Sequence, residues 1–222
     1  MAKIASHRVL LVRSGQTDWD LAGRLQGCTD LPLSPSGRSE VEAEVADFGE
    51  VGLSVVLCAP DEASQQTAEL WANGAKVVVI PGLSEPNVGL WEGILRSELE
   101  DRYCRAGRQW GDDPSCVTPP EGESLETAAA RLLPALGKAL SKVKGRRGDV
   151  SLPAGVGLVL RPIAQSIVRC SVSDLPSSEL CTMIRNRPSP EWVEFAADFD
   201  WSRPVRTRPP HPSQPATVAS VA

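Results

Sequence analysis

Residues 9–20 of the chain read VLLVRSGQTDWD, an apolar run that ends abruptly in polar residues. The continuous run at 9–12, closed by Ser14 and Gly15, predicts a buried strand over residues 7–13. A turn region rich in Pro, Ser and Gly follows at 31–37. A helix is predicted after it, over residues 38–48, because its apolar side chains fall on one face.

Short apolar runs alternate with helical patterns along the rest of the chain. The predicted strands lie at 54–58, 76–80, 156–160 and 192–195, and the predicted helices at 62–73, 95–105, 124–144 and 164–172. Residues 111–122 and 145–155 are predicted to be loops. This alternation predicts an α/β fold, a three-layer sandwich with a mostly parallel central sheet and helices on both faces.

The composition indicates one folded domain over residues 1–202. Residues 203–222 are dominated by Pro, Ser, Thr and Ala, and we expect them to form a disordered tail. Hydrophobic residues make up 41% of the chain and charged residues 23%, which is ordinary for a globular protein. No internal repeat is evident.

Charge and composition also indicate which partners the chain takes. A net charge of −5 suits a nucleic-acid backbone poorly, so no nucleic acid is expected. No apolar stretch is long enough to cross a bilayer, and the first residues lack a secretory signal, which favours a cytoplasmic protein. The six cysteines show no CxxC spacing and are expected to be reduced and mostly buried. Neither a cofactor nor a metal ion is expected, because histidine ligands are lacking.

Several short motifs occur in a fixed order along the chain. They are RSGQTDWD at 13–20, GRLQG at 23–27, DLPLS at 30–34, QTA at 66–68 after Pro60, Glu85 with WEG at 91–93, and PPEGES at 119–124. This series resembles the histidine phosphatase superfamily, also called the phosphoglycerate mutase-like family. That family begins with a strand and an Arg-His-Gly-x-Thr-x-x-Asn motif. The resemblance spans residues 8–195 and implies the family's fold.

The resemblance also implies a reaction that this sequence is poorly equipped to perform. In the family, an imidazole attacks phosphorus, two arginines, an Asn and a second His hold the phosphoryl oxygens, and a carboxylic acid protonates the leaving group. Arg13 and the acid Glu85 match the pattern. The other four positions depart from the pattern. Ser14 stands at the position of the nucleophile and Asp20 at that of the Asn. Ala63 stands at the position of the second arginine and Arg161 at that of the second His.

No histidine can replace the missing nucleophile. The chain has two histidines, His7 before the strand and His211 in the Pro-rich tail. A serine hydroxyl needs an adjacent general base, so Ser14 is a poor substitute. The sequence therefore predicts that no catalytic set of the family type is intact.

The expected ligand-binding residues carry balanced charge. Arg13 and Arg161 oppose Asp20 and Glu85, together with the polar Ser14. Two arrangements follow. The four charges pair with one another, which we favour, or Arg161 compensates for Ala63 and two guanidiniums remain to capture an anion.

Three functions are consistent with these residues. The first is a catalytically inactive binding or scaffold domain, with a protein partner or a phosphorylated small molecule. The second is a sensor of phosphate or a phosphometabolite that uses Arg13 and Arg161. The third is an active phosphoric-ester hydrolase that uses Ser14, or a water activated by Asp20 or Glu85.

Overall fold

The computed structural model describes residues 7–143, 155–173, 175–176, 178–196 and 199–202. The tail predicted at 203–222 lies outside these residues, as does nearly all of the loop predicted at 145–155.

Five strands form one central sheet in the order β3-β2-β4-β1-β5. They are β1 (His7–Arg13), β2 (Leu53–Cys58), β3 (Lys76–Val79), β4 (Gly155–Leu160) and β5 (Glu191–Phe195). The first four are parallel, and β5 runs antiparallel to β1. Arg13 pairs in register with Leu160, and Cys58 with Val159, so the carboxyl ends of β1, β4 and β2 meet at one edge.

Helices cover both faces of this sheet, which confirms the predicted three-layer α/β architecture. The described helices are α1 (Asp18–Leu21), α2 (Pro35–Phe48), α3 (Glu62–Ala72), α4 (Leu99–Asp112), α5 (Leu125–Leu140), α6 (Pro162–Ser173) and α7 (Ser178–Arg185). On one face, Val41 of α2 and Trp71 of α3 pack against Val12 and Val56. On the other face, side chains of α5 and α6 pack against Leu11, Leu57, Leu158 and Leu160.

Several predicted helix boundaries were wrong, for local reasons. Helix α2 begins at Pro35, because the Ser34 side chain accepts a hydrogen bond from the backbone of Gly37 and caps the helix. Helix α5 ends at Leu140, and α6 begins at Pro162. The helix predicted at 95–105 is a 3₁₀ turn, Arg96–Glu98, followed by α4, which extends into the loop predicted at 111–122.

Helices α1 and α7 were absent from the sequence-based assignment. Helix α1 is only four residues long and is held by a capping box between Thr17 and Asp20. Helix α7 buries Leu180, Cys181 and Ile184, a spacing that fits one face of a helix. Among the described residues, no helix is long and apolar enough to span a bilayer.

Candidate functional site

The residues singled out in the sequence converge at the carboxyl edge of the sheet. Arg13 ends β1, and the backbone N–H of Ser14 donates to the carbonyl of Leu160 at 2.9 Å. Arg161 follows β4 directly, and Ala63 lies in the first turn of α3, just after β2. This edge is where α/β proteins place their binding sites, because loops from several strands meet there.

Arg161 forms a buried two-point ion pair with Asp20. Its Nη1 lies 3.0 Å from Asp20 Oδ2, its Nη2 lies 3.3 Å from Oδ1, and Nη2 also donates to Gln26 Oε1 at 2.8 Å. The Arg161 side chain is 2% exposed and that of Asp20 is 11% exposed. The favoured expectation, internal pairing, is therefore confirmed for these two residues.

Neighbouring charges decide the ionisation of this pair. Burial alone would raise the pKa of Asp20, but the charge of Arg161 and hydrogen bonds from Thr17 and Arg161 outweigh it, and that pKa is lowered. Burial would likewise lower the pKa of Arg161, but Asp20, Glu85 and Asp61 hold it above its ordinary value. Both groups are therefore charged at neutral pH.

Arg13 makes its hydrogen bonds to other residues, on α6 and at the end of α7. Its Nε donates to Gln165 Oε1 at 2.9 Å, and its Nη1 to the carbonyl of Asn186 at 2.9 Å. Further bonds reach the carbonyls of Met183 and Ile184, at the end of α7. Burial lowers the pKa of Arg13 to about 10, partly opposed by the charge of Glu85. Arg13 and Arg161 are therefore both hydrogen-bonded within the protein, and the alternative in which these two guanidiniums capture an anion stays a prediction.

Ser14 lies beside Arg161 in the cleft. Its Oγ accepts a hydrogen bond from Arg161 Nη1 at 3.4 Å. Within the described residues, no carboxylate or imidazole accepts a hydrogen bond from this hydroxyl. An arginine is a permanent hydrogen-bond donor and cannot remove the proton of the Ser14 hydroxyl.

Glu85 caps a helix instead of projecting into open space. Its Oε1 accepts from the backbone N–H of Ile163 at 2.8 Å, and its Oε2 from that of Ala164 at 2.9 Å. These are the first N–H groups of α6, where the helix dipole favours a negative charge. Burial nevertheless raises the pKa of Glu85 to about 7, against the opposing effects of Arg161 and the two N–H groups.

Arg131 of α5 fixes the position of the Glu85 loop. Its guanidinium donates to the carbonyls of Gly82, Ser84 and Glu85, at 3.2, 2.9 and 3.2 Å. It also pairs with Glu123 at 2.5 Å. The sequence analysis did not identify this residue, because its partners lie in loops that no local pattern connects to α5.

A third carboxylate, Asp61, stands close to Arg161 and was also missed. Asp61 caps α3 through the backbone N–H of Ser64, and burial raises its pKa against the charge of Arg161. Ala63, next to it, is fully buried. In this part of the described structure, two buried atoms make no hydrogen bond, Asp61 Oδ2 and Arg161 Nε.

A cavity of about 140 Å³ opens in front of Arg13 and Ser14. Three further arginines line it, which the sequence analysis did not identify: Arg96, Arg185 and Arg187. Arg187 is fixed in place, because its Nη1 donates to the Ser14 carbonyl at 2.9 Å and its Nη2 lies 3.2 Å from Glu44 Oε2. The lining of the cavity therefore carries a net positive charge, whereas the charges of Arg13, Arg161, Asp20 and Glu85 alone would balance. The described residues contain no group of three His, Cys, Asp or Glu side chains arranged to hold a metal ion.

The fold and this strand-end cluster define an α/β protein with a polar cleft at the carboxyl edge of its sheet. The sequence profile of the Histidine phosphatase superfamily (branch 1) matches residues 9–184. The chain belongs to that superfamily, as the motif series predicted.

Relatives and solved structures agree with this placement. The chain is 28% identical over 127 residues to phosphoserine phosphatase 1 of Hydrogenobacter thermophilus, which covers 56% of this chain and 60% of that protein. It is 26% identical over 185 residues to the 2,3-bisphosphoglycerate-dependent phosphoglycerate mutase of Bartonella henselae, covering 79% of this chain and 88% of that protein. The structure of a mycobacterial glucosyl-3-phosphoglycerate phosphatase superposes with a TM-score of 0.73 at 22% identity, covering 91% and 96% of the two chains.

Proposed function

We propose that this protein is a histidine phosphatase superfamily member that does not transfer phosphoryl groups and acts through binding. The observation that carries the proposal is the environment of Ser14. At the nucleophile position stands a hydroxyl whose hydrogen-bond partner is Arg161, itself locked onto Asp20. A serine nucleophile needs a general base to remove its proton, and Arg161 cannot act as one.

The location of the histidines supports the same proposal. His7 begins β1, whereas Ser14 follows its other end, so roughly 20 Å of extended strand separates them. The acid Glu85 is also diverted from its expected role, because both carboxylate oxygens bind the start of α6. Because both of its oxygens bond the helix, Glu85 is not expected to protonate a leaving group.

The relatives carry the names of phosphatases and a mutase, which makes activity the natural rival proposal. The test is turnover of p-nitrophenyl phosphate, phosphoserine and 3-phosphoglycerate by the purified protein. We expect rates equal to those of Arg13→Ala and Ser14→Ala variants, because neither residue takes part in chemistry. A wild-type rate well above both controls would contradict the proposal, and a loss confined to Ser14→Ala would favour the serine-based hydrolase.

A second candidate function is the binding of a small anion in the cleft. The observation in its favour is the arginine-rich lining of the 140 Å³ cavity, a volume suited to an anion the size of phosphate. The residues proposed to hold the anion are Arg96, Arg185 and Arg187, in place of the pair Arg13 and Arg161. Guanidinium groups suit this task because they donate two parallel hydrogen bonds to an oxyanion.

Calorimetry with phosphate, sulfate and vanadate tests this second candidate. We expect Arg185→Ala to weaken phosphate binding, with Arg108→Ala as the control, because Arg108 is exposed on α4 and does not line the cavity. Arg161→Ala serves as a further comparison. The absence of heat with all three anions, or equal binding by Arg185→Ala and Arg108→Ala, would exclude anion binding here.

A further inference from the structure

A second and larger cavity lies along the β3 edge of the sheet, on the face covered by α5. We call it the β3 groove. It has a volume of about 630 Å³, and its floor includes Val55, Val78, Ile80, Ala135 and Val143. It shares no lining residue with the cleft in front of Ser14. Any function of this groove is therefore independent of the function proposed for the cleft.

The groove exists because α5 does not reach the edge of the sheet. Helix α5 buries Leu132, Leu136 and Leu140 over the middle of the sheet. Strand β3 is the outermost strand, and the side of α5 nearest to it carries small residues such as Ala135. The apolar side chains on the floor are consequently only partly buried, although they pack against the main core. Apolar surface left open in this way gains free energy when an apolar group covers it.

Positive charge surrounds this apolar floor. Lys76 of β3, Lys138 of α5 and Lys142, which lies two residues after α5, line the groove, and all three are exposed. Among the residues that the structure describes, no Asp or Glu is part of the lining. None of these ammonium groups forms an ion pair with a carboxylate of the described residues. The groove therefore combines an apolar floor with three exposed ammonium groups.

We propose that the β3 groove binds a free anionic amphiphile, an unbranched alkyl or acyl chain that ends in a carboxylate. The chain would lie on Val55, Val78 and Ile80, and the carboxylate would lie among the lysines. A volume of about 630 Å³ falls in the range of small-molecule cavities. Lysine ammonium groups on flexible stems suit a single terminal charge whose position is not fixed.

The lining distinguishes this ligand from other occupants. A purely apolar ligand would leave the three ammonium groups without a counter-charge, and a simple phosphate ion would leave the apolar floor uncovered. An anionic chain satisfies both parts of the groove at once. The same chemistry could be presented by a membrane surface, and a second copy of the chain could cover β3, so the experiment separates these cases.

The test is calorimetric titration of the full-length protein with decanoate below its micellar range. We expect saturable one-to-one binding, weakened about tenfold or more by Lys138→Glu, because the substitution replaces attraction by repulsion. Ser54→Phe, which introduces an aromatic ring at the groove lining, should also weaken binding. Arg108→Glu is the matched control, since it makes the same charge change on α4, away from the groove, and should bind normally.

Two further measurements identify the rival occupants. Light scattering reports the mass in solution, and flotation with phosphatidylglycerol vesicles reports membrane binding. Absence of saturable decanoate binding, or equal binding by Lys138→Glu and Arg108→Glu, would overturn the proposal. So would binding to vesicles without binding to free decanoate, or a dimer that Lys138→Glu dissociates. Circular dichroism of each variant ensures that loss of binding is not loss of folding.

Discussion

At the scale of single residues, Arg161 organises the cleft. Three carboxylates, Asp20, Glu85 and Asp61, act on it electrostatically, and one of them pairs with it directly. Buried ion pairs of this kind contribute little net stability, but removal of one partner leaves an uncompensated buried charge. The free-energy consequences of substitution should therefore depend strongly on which partner remains.

Removal of the guanidinium should be more harmful than removal of both charges. We expect Arg161→Met to lower the free energy of unfolding by about 3–5 kcal/mol, because Asp20 then remains buried without a cation. The double variant Arg161→Met/Asp20→Asn should be less destabilised than the sum of the two single variants. Urea unfolding of all four proteins measures the coupling, and strict additivity would show that the ion pair has no energetic role.

Glu85 should make stability depend on pH near neutrality. Its pKa is raised from 4.5 to about 7 in the folded protein, so the folded state binds more protons than the unfolded state between these values. Stability should therefore fall as pH rises through this window, by about 2–3 kcal/mol in total. The lowered pKa of Asp20 acts below this window and removes stability as pH falls toward acid.

Chemical unfolding between pH 5 and pH 8 checks this dependence. We expect the decline in wild-type protein to be flattened in Glu85→Gln, which carries no titrating group. The Gln variant also loses one of the two acceptors for the N–H groups of α6, which lowers its stability at every pH. The quantity to compare is therefore the slope of the unfolding free energy with pH, and not its absolute value. Glu40→Gln, at an exposed position of α2, is the control and should retain the wild-type slope.

At the scale of elements, strands were easier to predict than helices. Strands β1, β2 and β4 are filled by continuous apolar runs, because neighbouring strands and helices bury both of their faces. Helix ends depend on single capping bonds, such as that of Ser34 to the backbone of Gly37, which an apolar pattern does not encode. Helix α7 was not predicted, because it is eight residues long and only part of it is buried, which leaves a weak apolar pattern.

Gly89 lies where the loop after Glu85 contacts the loop before α5, and no side chain fits at this position. Gly89 has a φ of +54°, and a Cβ atom there would lie 2.0 Å from the carbonyl oxygen of Pro120. We expect Gly89→Ala to destabilise the protein by about 2–4 kcal/mol, from strain and backbone displacement. Thermal unfolding compares it with Gly52→Ala, where a Cβ meets nothing within 4 Å and the change should stay within about 0.5 kcal/mol.

At the scale of the whole molecule, the sequence predicted the fold more completely than the site. The ordered motifs predicted the three-layer fold and indicated that Ser14, Asp20 and Arg161 lie together, as they do at one edge of the sheet. The arginines of the cavity, by contrast, come from separate segments after Trp91 and at the end of α7, and no local pattern connects them. The bonding of Arg13 to the end of α7 was likewise unpredictable, because that helix was not recognised.

The cysteines give a test of the packing of the entire chain. All six are free thiols. We expected most of them to be buried, but only three are, because Cys28, Cys104 and Cys116 are exposed. We expect three thiols to react with DTNB in the native protein and the other three only after denaturation. Burial raises the pKa of Cys58 and Cys170 to about 12, which suppresses the reactive thiolate further.

Within the exposed group, Cys28 should react most slowly. Partial burial and the negative charges of Glu92 and Glu123 raise its pKa. Stopped-flow absorbance resolves the individual rates when each cysteine is replaced by serine in turn. Six prompt reactions, or a melting temperature that changes with reductant, would contradict the packing described above.

The double role of Asp20 couples two parts of the molecule. Its carboxylate closes the turn at Thr17 and also anchors Arg161, so the turn and the cleft are tied to one side chain. A substitution at position 20 is therefore expected to disturb the α1 turn and the position of Arg161 together, and to leave the buried Arg161 guanidinium without its direct partner.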